Sequence, residues 1–125
     1  MMGKAYGILL VSHVAEIAEG IAKLTSQVAK DVTVISAGGT DTGGIGTSFD
    51  KLTAALNGMA EKEVLAFYDL GSSKMNLELA MENSDKHITI YDTAFVESAY
   101  TAAAMLQVDT PIEEIEEQMK KLIVK

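Results

Sequence analysis

Four short apolar runs, each followed by a segment of helical periodicity, constrain this chain more than any other feature. The runs cover residues 6–12, 32–37, 63–69 and 88–91, rich in Val, Ile, Leu and aromatic side chains. After the first, Val14, Ile17, Ala18, Ile21, Ala22, Leu24 and Val28 recur at helical spacing until Asp31 breaks the pattern. After the second, Thr47-Ser48-Phe49-Asp50 has the form of a capping box opening a helix that carries Leu52, Ala55, Leu56 and Met59. Helices are predicted after the third run at residues 74–81 and after the fourth at 94–106. A last, acidic amphipathic helix follows, with Pro111 at its first position. Strands that alternate with helices pair in parallel, with right-handed crossovers. The expected fold is therefore a three-layer α/β/α domain over residues 1–125, with a mostly parallel four-stranded sheet.

Composition narrows the function. The net charge is −8, from 18 acidic residues against 10 lysines with no arginine. Binding to nucleic acid or an anionic membrane rests on clustered Lys and Arg, so neither partner is expected. Arginine fingers and bidentate guanidinium clamps are absent. With no cysteine, thiolate catalysis, cysteine zinc sites and Fe–S clusters are excluded. No metal site is expected. No apolar stretch reaches about 18 residues and the first residues lack signal-peptide character, so the reading is of a soluble cytoplasmic protein.

In a parallel α/β sheet, functional groups gather beyond the strand carboxyl ends, where helix N-terminal N–H groups point into the crevice. The first three runs end at His13, at a glycine loop starting with Gly38, and at Asp69 before Gly71-Ser72-Ser73. All three fall on one edge of the sheet. A histidine, a carboxylate able to hold one ring nitrogen and a loop rich in N–H donors suit a site for a transferable phosphoryl group. The imidazole would attack phosphorus, the carboxylate would fix its tautomer, and N–H groups would screen the oxygens.

Each feature also has a plainer reading. His13 could be a packed histidine at a helix start, Asp69 a turn or cap residue, and the loop a simple connection. Five of the ten glycines fall in residues 38–46, yet neither nucleotide motif fits. Gly39 and Gly44 have Walker A spacing, but Ile45 stands where lysine is needed. Gly44 and Gly46 begin a dinucleotide fingerprint that fails at Phe49. A response-regulator receiver would need an acidic pair after the first strand to hold Mg²⁺, and Val11-Ser12-His13 has none. The acidic run Glu113, Glu114, Glu116 and Glu117 reads as a solvated helix face. His87, at the opposite edge, reads as a solvated loop residue.

Gly7-Ile8-Leu9-Leu10-Val11-Ser12-His13, followed by Ala37-Gly38-Gly39-Thr40 and Gly43-Gly44-Ile45-Gly46-Thr47-Ser48, resembles one family over essentially the whole chain. It is similar to the phosphoryl donor (DhaM) subunits of phosphoenolpyruvate-dependent dihydroxyacetone kinase, fold relatives of mannose-type enzyme IIA domains. The resemblance implies a phosphohistidine relay in which the phosphocarrier HPr phosphorylates His13 on Nε2 while Asp69 accepts from Nδ1. The group then passes to ADP, held with Mg²⁺ on a partner subunit, and the ATP formed phosphorylates dihydroxyacetone on a third subunit. It further implies no cofactor on this chain, a homodimer, and contacts to the phosphoryl oxygens from Gly38, Gly39, Thr40, Ser72 and Ser73. Two other readings stand beside it: a binding module whose affinity is switched by phosphorylation of His13, and a flavodoxin-like ligand-binding domain. The second would favour a phosphate loop directly after the first strand, where His13-Val14-Ala15-Glu16 stands.

Overall fold

The computed structural model describes residues 4–125. Strands β1 (Tyr6–Ser12), β2 (Val34–Gly38), β3 (Glu63–Tyr68) and β4 (His87–Tyr91) form one sheet in the order β2-β1-β3-β4, and every pairing is parallel. Helices α1 (Ala15–Thr25), α2 (Phe49–Gly58), α3 (Gly71–Glu82) and α4 (Phe95–Gln107) follow the strands in turn, and α5 (Ile112–Lys120) comes last.

Strand alternation divides the core in two. On β1 and β3, Ile8, Leu10, Leu65 and Phe67 pack with Ala18 and Ile21 of α1, Ala99, Ala102 and Ala103 of α4, and Ile115 and Met119 of α5. Leu9, Val11, Val64, Ala66 and Tyr68 face the other way, onto Leu52 and Leu56 of α2 and Leu77 and Ala80 of α3. Because both faces of β1 and β3 are covered, these strands read as unbroken apolar runs. Phe67 has no exposed surface; its truncation to Ala would cost about 3–5 kcal/mol.

The elements follow the predicted order, with shifted boundaries that have local causes. Helix α3 begins at Gly71, three residues earlier than Lys74. Gly-Ser-Ser is turn-forming in isolation, but Ser73 Oγ donates to Asp69 Oδ1 at 2.9 Å and the hydroxyl is used without breaking the first turn. The cap of α2 is Ser48, whose Oγ accepts from Lys51 N at 3.1 Å, rather than Thr47, which instead accepts from Asn76 Nδ2 at 2.7 Å. Pro111 is the cap of α5 and Ile112 its first helical residue. Helix α1 starts at Ala15 and ends at Thr25, so Val14 is its cap and Val28 lies beyond it. Strand β2 begins at Val34, two residues later than expected, and β4 at His87, which is thus a strand residue and not a loop residue.

The register matters for function. Ser12 pairs with Gly38 across β1 and β2, and Val11 with Tyr68 across β1 and β3. His13 and Gly39 are therefore level just beyond the ends of β1 and β2, and Asp69, the next residue out on β3, is level with Ser12.

Candidate active site

Two turns hold the backbone of His13. Its N–H donates to Asp69 Oδ2 at 2.9 Å, and its carbonyl accepts from Gly46 N at 2.8 Å. The glycine loop also closes on Ser12, whose carbonyl accepts from Gly39 N at 3.2 Å. Glycine is needed at both places where β2 turns away. A Cβ on Gly38 would stand 2.8 Å from Ala15 Cα and 2.9 Å from Val14 O, blocking the start of α1, and Gly39 has φ +76°.

The ring is held as firmly as the backbone. His13 Nδ1 is 3.0 Å from both Asp69 Oδ1 and Ser73 Oγ, and Ser73 gives its own proton to Asp69. Asp69 also accepts from Ser12 Oγ at 2.9 Å and Leu70 N at 2.7 Å. Burial by itself would raise the Asp69 pKa; the hydrogen bonds from His13 N–H, the His13 ring, Ser73 and Leu70 N–H outweigh it and bring the pKa down to about 2. At neutral pH the carboxylate is ionised and can only accept, so Nδ1 carries the ring proton. In the neutral ring this leaves the lone pair on Nε2, which lies 2.6 Å from Ser72 Oγ. With side chains 18% and 15% exposed, His13 and Asp69 are sheltered but reachable from solvent.

Of the seven residues singled out in the sequence, His13, Asp69, Ser72 and Ser73 come together here. Ser72 and Ser73, adjacent in sequence, diverge in placement: Ser72 meets Nε2, whereas fully buried Ser73 lies behind the ring on Nδ1 and Asp69. Gly38 and Gly39 pack the loop against α1, and the Gly39 N–H is spent on Ser12. Thr40 is engaged inside the loop, its N–H donating to Gly44 O at 3.0 Å and its Oγ1 accepting from Gly44 N at 2.9 Å. Ser12, which the sequence reading passed over, joins the site by donating to Asp69 and accepting from Val14 N at 3.1 Å. A lone hydroxyl closing an apolar strand was the available signal.

Helices α1 and α3 begin at Ala15 and Gly71, each two residues beyond His13 and Asp69, so the positive ends of two helix dipoles lie at this edge. Among the described residues, no group of three or more His, Asp or Glu side chains is arranged to hold a metal ion.

Residues 7–116 match the family described as the PTS system fructose IIA component. The chain belongs to that family. It is 44% identical over 119 residues to a Lactococcus lactis protein, "PTS-dependent dihydroxyacetone kinase, phosphotransferase subunit DhaM", covering 95% of this chain and 97% of the relative. It is 40% identical over 124 residues to the Listeria innocua "PEP-dependent dihydroxyacetone kinase 1, phosphoryl donor subunit DhaM", covering 99% and 100%. A solved structure of a protein of unknown function superposes with a TM-score of 0.84 at 31% identity, covering 99% of this chain and 98% of that one. The "phosphotransferase system component EIIA" of Streptococcus agalactiae shares the fold, with a TM-score of 0.62 at 19% identity, covering 93% and 90%. The resemblance read from the strand-histidine and glycine-loop motifs therefore holds across the chain, as does the α/β fold. No helix among the described residues is long and apolar enough to cross a membrane.

Proposed function

We propose that this chain is the phosphohistidine relay subunit of a phosphoenolpyruvate-dependent dihydroxyacetone kinase. The observation that carries the reading is the polarisation of one imidazole: Nδ1 turned to an ionised carboxylate, Nε2 turned outward with its lone pair. In the first step that lone pair attacks the phosphorus of phosphorylated HPr; the P–N bond to the carrier breaks as the P–Nε2 bond forms. In the second, a terminal phosphate oxygen of ADP on the partner subunit attacks, and Nε2 recovers its lone pair. The Nδ1 proton stays on the ring beside Asp69 throughout, and the carboxylate stabilises the positive charge that develops on the imidazole. Mg²⁺ and the nucleotide come with the partner, and the ATP formed there serves dihydroxyacetone.

Ser72 stands where phosphorus must arrive. Its hydroxyl swings from Nε2 to a phosphoryl oxygen, and the N–H groups of Gly71 and Ser72 at the start of α3 screen the same group, the Ser73 N–H being spent on Leu70 O. Gly38, Gly39 and Thr40 serve by shaping the loop that holds His13. A protein partner is further supported by apolar side chains left exposed on both loops and the helix next to them: Ile45, Leu70 and Met75. Homodimerisation belongs to the same reading, and sedimentation equilibrium tests it.

Incubation with phosphoenolpyruvate, enzyme I and HPr is expected to add one acid-labile phosphate, seen by intact mass, to the wild type and none to His13→Ala. Equal uptake by both would sink the assignment. Addition of the nucleotide-bearing subunit with ADP should then discharge the phosphate; its retention would favour the affinity-switched binding module.

A further inference from the structure

Lys125 lies beyond α5, yet its side chain reaches the carboxyl end of β3. Residues 122–125 run antiparallel to residues 92–94 just past β4: Ala94 N donates to Leu122 O at 2.9 Å, Val124 N to Asp92 O at 3.2 Å, and Thr93 bridges Ile123. From there Lys125 Nζ donates to Tyr68 O at 2.6 Å and Asp69 O at 2.9 Å, 4.4 Å from the centre of the Tyr68 ring. The ring is itself fixed, since Tyr68 OH donates to Asp92 Oδ1 at 2.5 Å and Asp92 also holds Lys74 Nζ at 2.9 Å.

Those two carbonyls belong to the peptide planes on either side of the Asp69 Cα. Each plane is rigid, and the angle between them is set by φ and ψ of Asp69 alone. One ammonium shared by both carbonyls therefore fixes those angles, and with them the direction in which the Asp69 side chain leaves the backbone. Lys74 spends its charge on Asp92, but Lys125 makes no ion pair among the described residues and gives its ammonium to neutral carbonyls. The Lys125 charge also acts on nearby Asp69 and Asp92, but its hydrogen bonds go to the backbone, where they fix geometry.

We infer that Lys125 is a positioning residue for phosphoryl transfer: by clipping the backbone on both sides of Asp69 it aims the carboxylate at Nδ1 and keeps Nε2 as the nucleophile. The consequence for transfer rests on the phosphohistidine reading, whereas the consequence for the imidazole tautomer does not. The variants are Lys125→Met, Lys125→Arg, which can still reach two carbonyls, and Lys120→Met as a charge-matched control on an exposed pair with Glu117.

Two readouts are taken on folded protein, verified by circular dichroism. In two-bond ¹H–¹⁵N spectra of the histidine rings, recorded above the pH at which the ring ionises, wild type, Lys125→Arg and Lys120→Met are expected to show His13 protonated on Nδ1. Lys125→Met should show a mixture of tautomers. The initial rate of phosphate gain from phosphorylated HPr should fall about tenfold in Lys125→Met and recover to within about threefold in Lys125→Arg, the scale set by misorienting a catalytic group. A wild-type tautomer pattern in Lys125→Met would overturn the inference, whatever its rate. Equal slowing in the Met and Arg variants with no tautomer change would assign residues 122–125 a purely structural part and overturn it too. A shifted tautomer in Lys125→Met, alongside a wild type that takes up no phosphate, would uphold the positioning role and remove the relay.

Discussion

Two histidines face carboxylates at opposite ends of the sheet. His13 Nδ1 stands 3.0 Å from Asp69, and His87 Nδ1 stands 2.6 Å from Glu63, a shorter contact. Distance alone would favour the second pair. Yet His87 and Glu63 are 73% and 40% exposed, and they meet only because β3 and β4 start in register. Glu63 has no other side-chain hydrogen bond among the described residues, so water competes for both partners and the pair is worth little. Asp69 accepts from Ser12, Ser73, Leu70 N and His13 N as well as from the ring. A histidine becomes a directed nucleophile when its carboxylate is itself held, and the holding groups are what separate the two ends.

The sharpest break of that comparison is His13→Ala, expected to abolish phosphate uptake, while His87→Ala leaves it within about twofold of wild type. Both are read by intact mass. Asp69→Asn should slow uptake by about 100-fold, because a neutral amide neither enforces the Nδ1 proton nor stabilises an imidazolium. The same variant sharpens the comparison through pH. Since the folded-state pKa of Asp69 is depressed from an ordinary 3.8 to about 2, its contribution to stability is complete above the unfolded value. It is lost as pH falls from about 4 through 2, and amounts to about 2 kcal/mol. Urea unfolding of wild type across that window should show the loss, and Asp69→Asn should lack that part of the acid limb. Ser72→Ala comes next, slowing uptake about 3- to 10-fold through a lost hydroxyl contact to the phosphoryl group. Stopped-flow transfer from phosphorylated HPr measures it, and an unchanged rate would confine Ser72 to the resting state.

Much of this arrangement is legible in the sequence. Alternation of apolar runs with helical periods is a short-range signal, and it placed His13, the glycine loop and Asp69 at one edge. The division of labour between Ser72 and Ser73 was not legible, because successive helical residues point about 100° apart. Which one meets the ring depends on where α3 begins, and Gly-Ser-Ser concealed that start. The glycine loop read as a source of free N–H donors, whereas its hydrogen bonds close on Ser12, His13 and itself, a matter of loop conformation rather than composition. Lys125 lies 56 residues from Asp69 in sequence. No local pattern marks such a contact; it depends on how residues 122–125 dock beside β4.

His13 and Asp69 extend the two inner strands of the sheet, β1 and β3, while the glycine loop leaves from an edge strand. Inner strands are shielded on both sides and are the last to open during local fluctuations, whereas edges fray first. The amide protons of His13, held by Asp69, and of Asp69, held by Val11 O, should therefore exchange with deuterium at rates close to those of global opening, well behind residues 40–45. Residues 40–45 are then free to breathe around an approaching protein while His13 stays tied to Asp69 through its N–H and to Gly46 through its carbonyl.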